Sequence, residues 1–486
     1  MSVSKKVLIG SLYVVSGRLL INIIGFISTL ILARLLTPND FGVVAMVMIF
    51  YAFLEVFSAV GVDTYLISKK DLSTKDFDSA WTINFILYAL LGTVFYFSRF
   101  SIAEFYDKEV LVSVIEYICI MFVLSGLQNI AIVEYRKNLD FKYDLILQVI
   151  PKVIAVSVTI TMALLIKSYW ALVIGMLVSK AAFVVMTYIY HPYRPKFSLV
   201  NAIAIVHYSK WLLANNILFF INNRFVEMLV GKMYSSHSLG VFNIGKEMGE
   251  LPSTQLAAAI NRASLSGYSS VKADISTLFT LYKKSIVFIS FICIPAGVGL
   301  SVLSEYFVLI ILGEQWKEAI FIIQILALSS ILSAINGNTG YIYLAIGKPK
   351  VTTMLTLARV GMLIPTLLFI SVNYGFVYLS IGILIVSLIQ FVIAQNIAAR
   401  LLNVSLLKEI LPTYIIPTIS SLLMFIVLFI LKGRFEIEVI NFLWLIILGA
   451  LVYAVCFYSL LRLLKIDFDI YNSVLGVVLS KLRRKS

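Results

Sequence analysis

Residues 376–399 read FVYLSIGILIVSLIQFVIAQNIAA, an unbroken stretch without one charged side chain. A helix needs about 20 mostly apolar residues to cross a bilayer, and this stretch has the length and the composition. The same ruler laid along the chain finds fourteen spans: 7–33, 41–62, 81–98, 110–133, 145–166, 169–190, 211–231, 239–261, 285–304, 319–346, 351–372, 376–399, 411–431 and 439–461. The third, ninth, tenth, twelfth, thirteenth and fourteenth carry no charge; the eighth is the least apolar, holding Lys246, Glu247 and Glu250. The chain reads as an all-α integral membrane protein of about 14 transmembrane helices.

Composition agrees. Of the 486 residues, 61% are hydrophobic and 13% charged, about half the ~25% charged share of soluble domains. A soluble surface is already ~55–60% apolar, so this chain has no place in water for the excess. Soluble-enzyme and nucleic-acid-binding readings fall away despite a net charge of +14. Cys119, Cys293 and Cys456 are scattered through apolar runs without metal-like spacing. His191, His207 and His237 are unpaired at helical spacing, so no metal and no cofactor is expected.

Lys5 and Lys6 precede the first span, but its apolar run is too long for a cleaved signal peptide and is expected to stay in the membrane. With that end inside, the inner segments hold 25 Lys and Arg, the outer loops 8 and the spans 6 of the 39. This asymmetry puts both termini in the cytoplasm. The longest connections, 191–210 and 262–284, are inner ones and too short for a separate domain.

A shift of 198 residues aligns the hairpin after span one with that after span seven. Arg34 falls on Lys232, Asp40 on Ser238, Phe41 on Leu239 and Gly42 on Gly240, while Ser11, Arg18 and Thr29 fall on Ser209, Asn216 and Glu227. The copies are read as parallel repeats about an axis normal to the membrane. Gly42 and Gly240 are expected to be matching helix-start positions where a backbone turn leaves no room for a side chain. His191-Pro-Tyr-Arg-Pro195, with two prolines against helix propagation, is read as the link between halves.

An ionisable group inside a span costs roughly 2.5–3.5 kcal/mol on insertion scales, so each needs an interior or wet environment. The bases are Arg18, Lys152, Lys180, Arg224, Lys246 and Arg359; the acids are Glu55, Glu116, Glu227, Glu247 and Glu250. Counted from the start of span one, Arg18 lies about 16 Å deep at 1.5 Å per residue, near mid-membrane. Helical spacing places Ser11, Arg18, Asn22, Gly25 and Thr29 on one stripe, and Asn216, Asn223 and Glu227 on another. A third stripe holds Asn243, Glu247, Glu250, Thr254 and Asn261, with Ile244, Met248 and Leu251 off it. The stripes suggest a shared aqueous lumen; intramembrane ion pairs, such as Arg224 with Glu227, are the plainer alternative. Arg18 and Arg359 have no acid at i±3 or i±4 and should dominate the lumen's charge.

Two short matches carry nothing. Gly240-Val-Phe-Asn-Ile-Gly245-Lys246 has the GxxxxGK spacing of a phosphate loop, but Glu247 stands where Ser or Thr is needed and no strand precedes it. Asn403-Val-Ser405 matches a glycosylation sequon in an inner loop.

Ala33-Arg-Leu-Leu-Thr-Pro-Asn-Asp-Phe-Gly42 resembles the ARxLxPxxFG hairpin of bacterial Wzx-type polysaccharide flippases, within the multidrug/oligosaccharidyl-lipid/polysaccharide superfamily. Leu239-Gly-Val-Phe-Asn-Ile-Gly-Lys246 resembles their LGxYxxA opening of span eight, and the branch exporting colanic-acid-like and teichuronic-acid-like polymers is the most similar. The resemblance implies two pseudo-symmetric six-helix bundles around a central cavity plus two C-terminal helices. On this chain that gives 1–190, a linker at 191–210, 211–400, and 401–486 with a basic cytoplasmic tail. It implies transfer of an undecaprenyl-pyrophosphate-linked oligosaccharide to the outer leaflet of the cytoplasmic membrane, not catalysis. Membrane lipids, a polysaccharide polymerase and glycosyltransferases are the implied partners, with no nucleic acid. The substrate-binding candidates are Arg18, Asn22, Lys180, Asn216, Arg224, Lys246 and Arg359; Glu55, Glu116, Glu247 and Glu250 are candidates for ion coupling. A drug/cation antiporter should have an acid-dominated lumen, a glycan polymerase large outer loops; a lipid II flippase is the third alternative.

Overall fold

The computed structural model describes residues 3–58, 62–69, 71–271 and 274–464. The basic tail at 465–486 and the side chains of Lys5, Lys6, Ser11, His207 and Ser209 lie outside the described residues. Among those described, every regular element is helical. The long helices of the first part are α1 (Val3–Leu35), α2 (Pro38–Ser58), α3 (Thr74–Phe97), α4 (Val110–Leu127), α5 (Phe141–Ile166), α6 (Trp170–Tyr190) and α7 (Ala202–Met233). Then come α8 (Ser236–Gly249), α9 (Ala258–Ser270), α10 (Ile275–Val302), α11 (Ala319–Ala345), α12 (Pro349–Asn373), α13 (Leu379–Leu401), α14 (Pro412–Lys432) and α15 (Val439–Leu464). Twelve helices among the described residues are long and apolar enough to cross a membrane. The expected seventh and eighth spans fall outside those twelve, on α7 and on the charged run of α8 and α9. The chain is a multi-pass, all-helical membrane protein.

Contacts divide it into two units, Met1–Gly240 and Val241–Ser486. In the first, α1 packs on α5, α5 on α6, α6 on α4, and α4 on α3, while α2 lies along α7. Lipid gives helices no hydrophobic reason to associate, so small residues that let backbones approach do that work. Gly175 of α6 faces Thr159 of α5 so closely that a Cβ would stand 1.8 Å from the Thr159 hydroxyl. In the second unit Gly245 and Gly249 seat against Ile322 and Leu326 of α11, and Gly297 of α10 against Ala327 and Ile331.

The ARLLTPNDFG hairpin has a local explanation. Thr37 precedes α2 and Pro38 is its first residue, where a missing N–H costs nothing. Asp40 accepts from the Thr37 backbone N at 2.9 Å and from its hydroxyl at 2.6 Å, a reciprocal cap on the helix start. Its other oxygen accepts from Tyr169 N at 2.9 Å, tying this hairpin to the α5–α6 turn. The shifted positions repeat the device in serine, with Ser238 N donating to Ser235 Oγ at 3.1 Å. Helix ends obey the same shift: α1 stops at Leu35 and α7 at Met233, α2 starts at Pro38 and α8 at Ser236.

Gly42 and Gly240 correct one expectation. Neither has a positive φ; among the described residues the positive-φ glycines are Gly313, Gly347 and Gly375. Their space is taken by the facing hairpin instead. A Cβ on Gly42 would stand 1.7 Å from the Ser236 carbonyl oxygen, and one on Gly240 1.8 Å from the Pro38 carbonyl oxygen. The two contacts are exchanged by the same 198-residue shift. The Ser236 hydroxyl also donates to the Asn39 side chain.

The expected stripe on span eight is corrected as well. Ile244 and Met248 are buried, Glu247 and Thr254 exposed, as the spacing predicts. Asn261, however, is buried. A π-helical turn over Pro252–Ala257 separates α8 from α9, and its extra residue per turn rotates everything beyond it off the 3.6-residue register. Asn261 then donates to the Ala334 carbonyl at 3.3 Å and accepts from Asn338 Nδ2 at 3.1 Å. Asn338 reaches Ser264 Oγ at 3.1 Å and accepts from Tyr268 OH at 2.8 Å. Truncating Asn338 strands these buried partners, each worth about 1–3 kcal/mol if left unmade. Asn338→Ala is therefore expected to lower stability by about 2–4 kcal/mol, read as a fall in Tm of the purified protein; an unchanged Tm would count against the network.

The expected linker is irregular only to Asn201, since α7 begins at Ala202. It is strapped to the start of α3. Asp78 accepts from Tyr193 OH at 2.5 Å and from Lys196 N at 2.9 Å. Thr82 accepts from Ser198 N at 3.0 Å, and Asp76 from Asn201 Nδ2 and Lys69 Nζ, both at 2.6 Å. Asn129 donates to the His191 and Tyr193 carbonyls at 3.3 and 2.9 Å, and His191 Nε2 lies 3.2 Å from Glu134. Burial, with Asp78 accepting its proton, pushes the Tyr193 phenol up and keeps it a donor. A segment without secondary structure thereby satisfies its backbone through side chains.

Candidate functional site

Arg18 stands over a cavity of about 370 Å³ between α1 and α5, with Tyr13, Arg136, Asp144 and Gln148 on its walls. Arg136 engages Asp144 Oδ1 through Nε at 2.8 Å and through Nη2 at 2.8 Å. Gln148 Nε2 donates to Asp144 Oδ2 at 2.9 Å. Both carboxylate oxygens thus have partners, and two guanidiniums face one acid. Such a cavity favours an anion with several acceptor oxygens, which arginine can grip bidentately. Arg136, Asp144 and Gln148 were not among the sequence candidates: Arg136 counted as a loop charge. The legible signal was Asp144 and Gln148 at i, i+4 near the start of a span.

The neighbours of Arg18 on α5 follow from glycine packing. Gly10 packs on Phe141 and Gly17 on Leu145, so Arg18 lies opposite the second turn of α5. Further along α1, Asn22 is half-buried, and a Cβ on Gly25 would stand 3.8 Å from Lys152 Nζ.

The remaining candidates of the first unit sit in separate polar groups. Lys180 on α6 feels the charge of Glu55 on α2, and both are half-buried. Arg224 Nη1 and Glu227 Oε2 are 2.6 Å apart, the carboxylate side chain only 6% exposed, so the ion-pair alternative holds here. Asn216 is half-buried about two turns earlier on α7. Glu116 faces outward, 41% exposed, with Arg99 Nε at 3.2 Å. That guanidinium also lies 3.9 and 4.3 Å from the Tyr96 and Phe100 ring centroids.

In the second unit Lys246 and Glu250 are half-buried on the α8 run and Glu247 is exposed. Arg359 of α12 feels the charge of Glu250, an acid that a search along its own helix could not find. No acid stands at i±3 or i±4 of Arg359 along its own helix, and the acid whose charge reaches it comes from another segment. Its buried Nε–H has no acceptor among the described residues. A separate apolar groove of about 570 Å³ runs between α10, α14 and α15, past Pro295, Gly299, Leu428, Phe442, Gly449 and Tyr453.

Known proteins share this architecture. The fold matches a structure of the lipid II flippase MurJ in an inward closed conformation, with a TM-score of 0.75 at 17% identity over 94% of this chain and 100% of that one. The chain is 23% identical to a membrane protein in the cps region of Klebsiella pneumoniae, covering 87% of this chain and 86% of that protein. It is 21% identical to the lipopolysaccharide biosynthesis protein WzxC of Escherichia coli strain K12, covering 82% of each. The resemblance read from the Ala33 to Gly42 hairpin is borne out. Residues 31–321, well over half of the sequence, match the family model described as polysaccharide biosynthesis protein, and to that family this chain belongs.

Proposed function

We propose that the chain is a flippase that moves an undecaprenyl-pyrophosphate-linked oligosaccharide repeat unit from the inner to the outer leaflet of the bacterial cytoplasmic membrane. The Arg18 cavity carries this reading: two arginines and one acid, set between two membrane helices. A pyrophosphate offers the oxygens such a site can bind, whereas a cationic drug would be repelled. Lys180, Arg224, Lys246 and Arg359 would hand the head group along a polar, partly cationic path, with Asn22 and Asn216 meeting the sugar. The apolar groove beside α14 and α15 has the chemistry to take a hydrocarbon chain. Alternating access would rest on rocking of two repeat-related bundles, divided near 191–210, with both termini cytoplasmic as the basic-residue asymmetry favours. Glu55, Glu116, Glu247 and Glu250 are the acids available to couple an ion. Glycosyltransferases would supply the substrate and a polymerase consume it.

The test is binding by the purified protein. A polyprenyl-pyrophosphate sugar should bind with an affinity that falls as salt rises, because part of the attraction is screened Coulomb energy. The uncharged polyprenol should bind weakly. Equal binding of both, or none, would overturn the proposal.

A further inference from the structure

The strap between α6 and α7 has a second face. Its polar groups are spent on α3, through Tyr193, Lys196 N, Ser198 N and Asn201. That tethering turns Arg194, Lys196, Phe197, Leu199 and Val200 outward, all exposed. Phe197 is 72% exposed, Leu199 58% and Val200 73%. Three large apolar side chains on an irregular segment would be poor company for water. The first of them has aromatic neighbours: the Phe197 ring lies 5.3 Å from Trp81 and 5.9 Å from Phe85 of α3. Phe85 begins an outward apolar groove on α3 and α4 that continues through Ala89 and Thr93 to Phe97. Ile86 and Leu90 of the same helix are also exposed. The strap's apolar face therefore prolongs the lipid-facing stripe of a membrane span, at the end where that span begins.

Charge adds the second observation. Asp76 is buried and Asp78 half-buried, and both are occupied by Lys69, Asn201, Tyr193 and Lys196 N, while Lys196 and Arg194, whose Nη1 donates to the His191 and Tyr193 carbonyls, are exposed. We infer that residues 194–200 form an interfacial anchor, with Phe197, Leu199 and Val200 seated at the acyl boundary of an anionic leaflet and Arg194 and Lys196 among its headgroup phosphates. Basic residues interleaved with large apolar ones suit that boundary, where each part finds its own medium. The anchor is independent of what the protein transports.

The test uses the full chain with Cys119, Cys293 and Cys456 replaced by Ala. Lys196→Cys, Phe197→Cys, Leu199→Cys and Val200→Cys are made singly and placed in nanodiscs containing phosphatidylglycerol. A membrane-impermeant maleimide should label positions 197, 199 and 200 about tenfold more slowly than 196, since those thiols lie out of water. Labelling should equalise in SDS. In discs of phosphatidylcholine alone, or with Lys196→Glu in the three apolar-site variants, positions 197, 199 and 200 should label several-fold faster as the headgroup attraction is lost. Should Phe197→Cys fail to fold, positions 199 and 200 carry the test. Labelling at 197, 199 and 200 as fast as at 196 would mean a surface open to water or to a soluble protein, and the anchor would be wrong. Slow labelling indifferent to lipid charge would overturn the anionic leaflet as its partner.

Discussion

Gly42→Ala and Gly240→Ala are each expected to cost about 1–3 kcal/mol or more, the range for overpacking a close-packed contact. The added methyl would meet a backbone oxygen at 1.7 or 1.8 Å, and a backbone oxygen cannot rotate away as a side chain can. One hairpin must shift against the other by more than an ångström, disturbing the Asp40 cap and its bond to Tyr169 N. Both variants should show a lower Tm and little or no polymer export, and the double variant should fail to accumulate. Gly361→Ala is the control: nothing lies within 4 Å of its Cβ position, and replacing a mid-helix glycine should stabilise by roughly 0.5–1 kcal/mol. If Gly42→Ala behaves like Gly361→Ala, the close approach is not what makes glycine necessary.

Arg18→Ala is expected to leave insertion and expression intact and to reduce polymer export by roughly 10- to 100-fold, the equivalent of losing a hydrogen-bonded charge worth about 1.5–3 kcal/mol. Arg18 is exposed to its cavity, so its removal opens no buried void. Arg18→Lys should retain part of the activity, because an ammonium keeps the charge and loses the planar fork. Arg136→Ala should combine a transport loss with a stability loss, since it frees Asp144. Full export by Arg18→Ala would remove this cavity from the transport path.

The membrane fold was legible because lipid makes hydrophobicity a matter of length, and a charge-free run such as 376–399 has one reading. The repeat was legible where backbone chemistry constrains residue type: the hairpin positions 37, 40 and 42 and their copies at 235, 238 and 240 are cap, cap and close approach. Asn261 was misread because a period of 3.6 residues holds only while the helix stays α, and a π-helical turn leaves no dependable mark in hydropathy. Arg359 shows a different limit of reading along one helix. The acid whose charge reaches it, Glu250, lies just past the end of α8, and only tertiary packing brings the two within range. Arg18 was legible as a charge inside an apolar run, whereas its neighbours on α5 were not, since counting from the apolar onset ignores which helix packs against it.

The charge pairing has an electrical consequence. Arg224 and Glu227 form an ion pair, while Lys180 feels the charge of Glu55 and Arg359 that of Glu250, each within a single unit. A lone charge carried across the whole bilayer exchanges about 2.3 kcal/mol with every 100 mV of transmembrane potential. A neutral pair exchanges none, however far its helices travel. An ion pair such as Arg224 with Glu227 thus carries no net charge through the field, and on the function proposed above the potential, negative inside, would act on the anionic cargo and drive it outward.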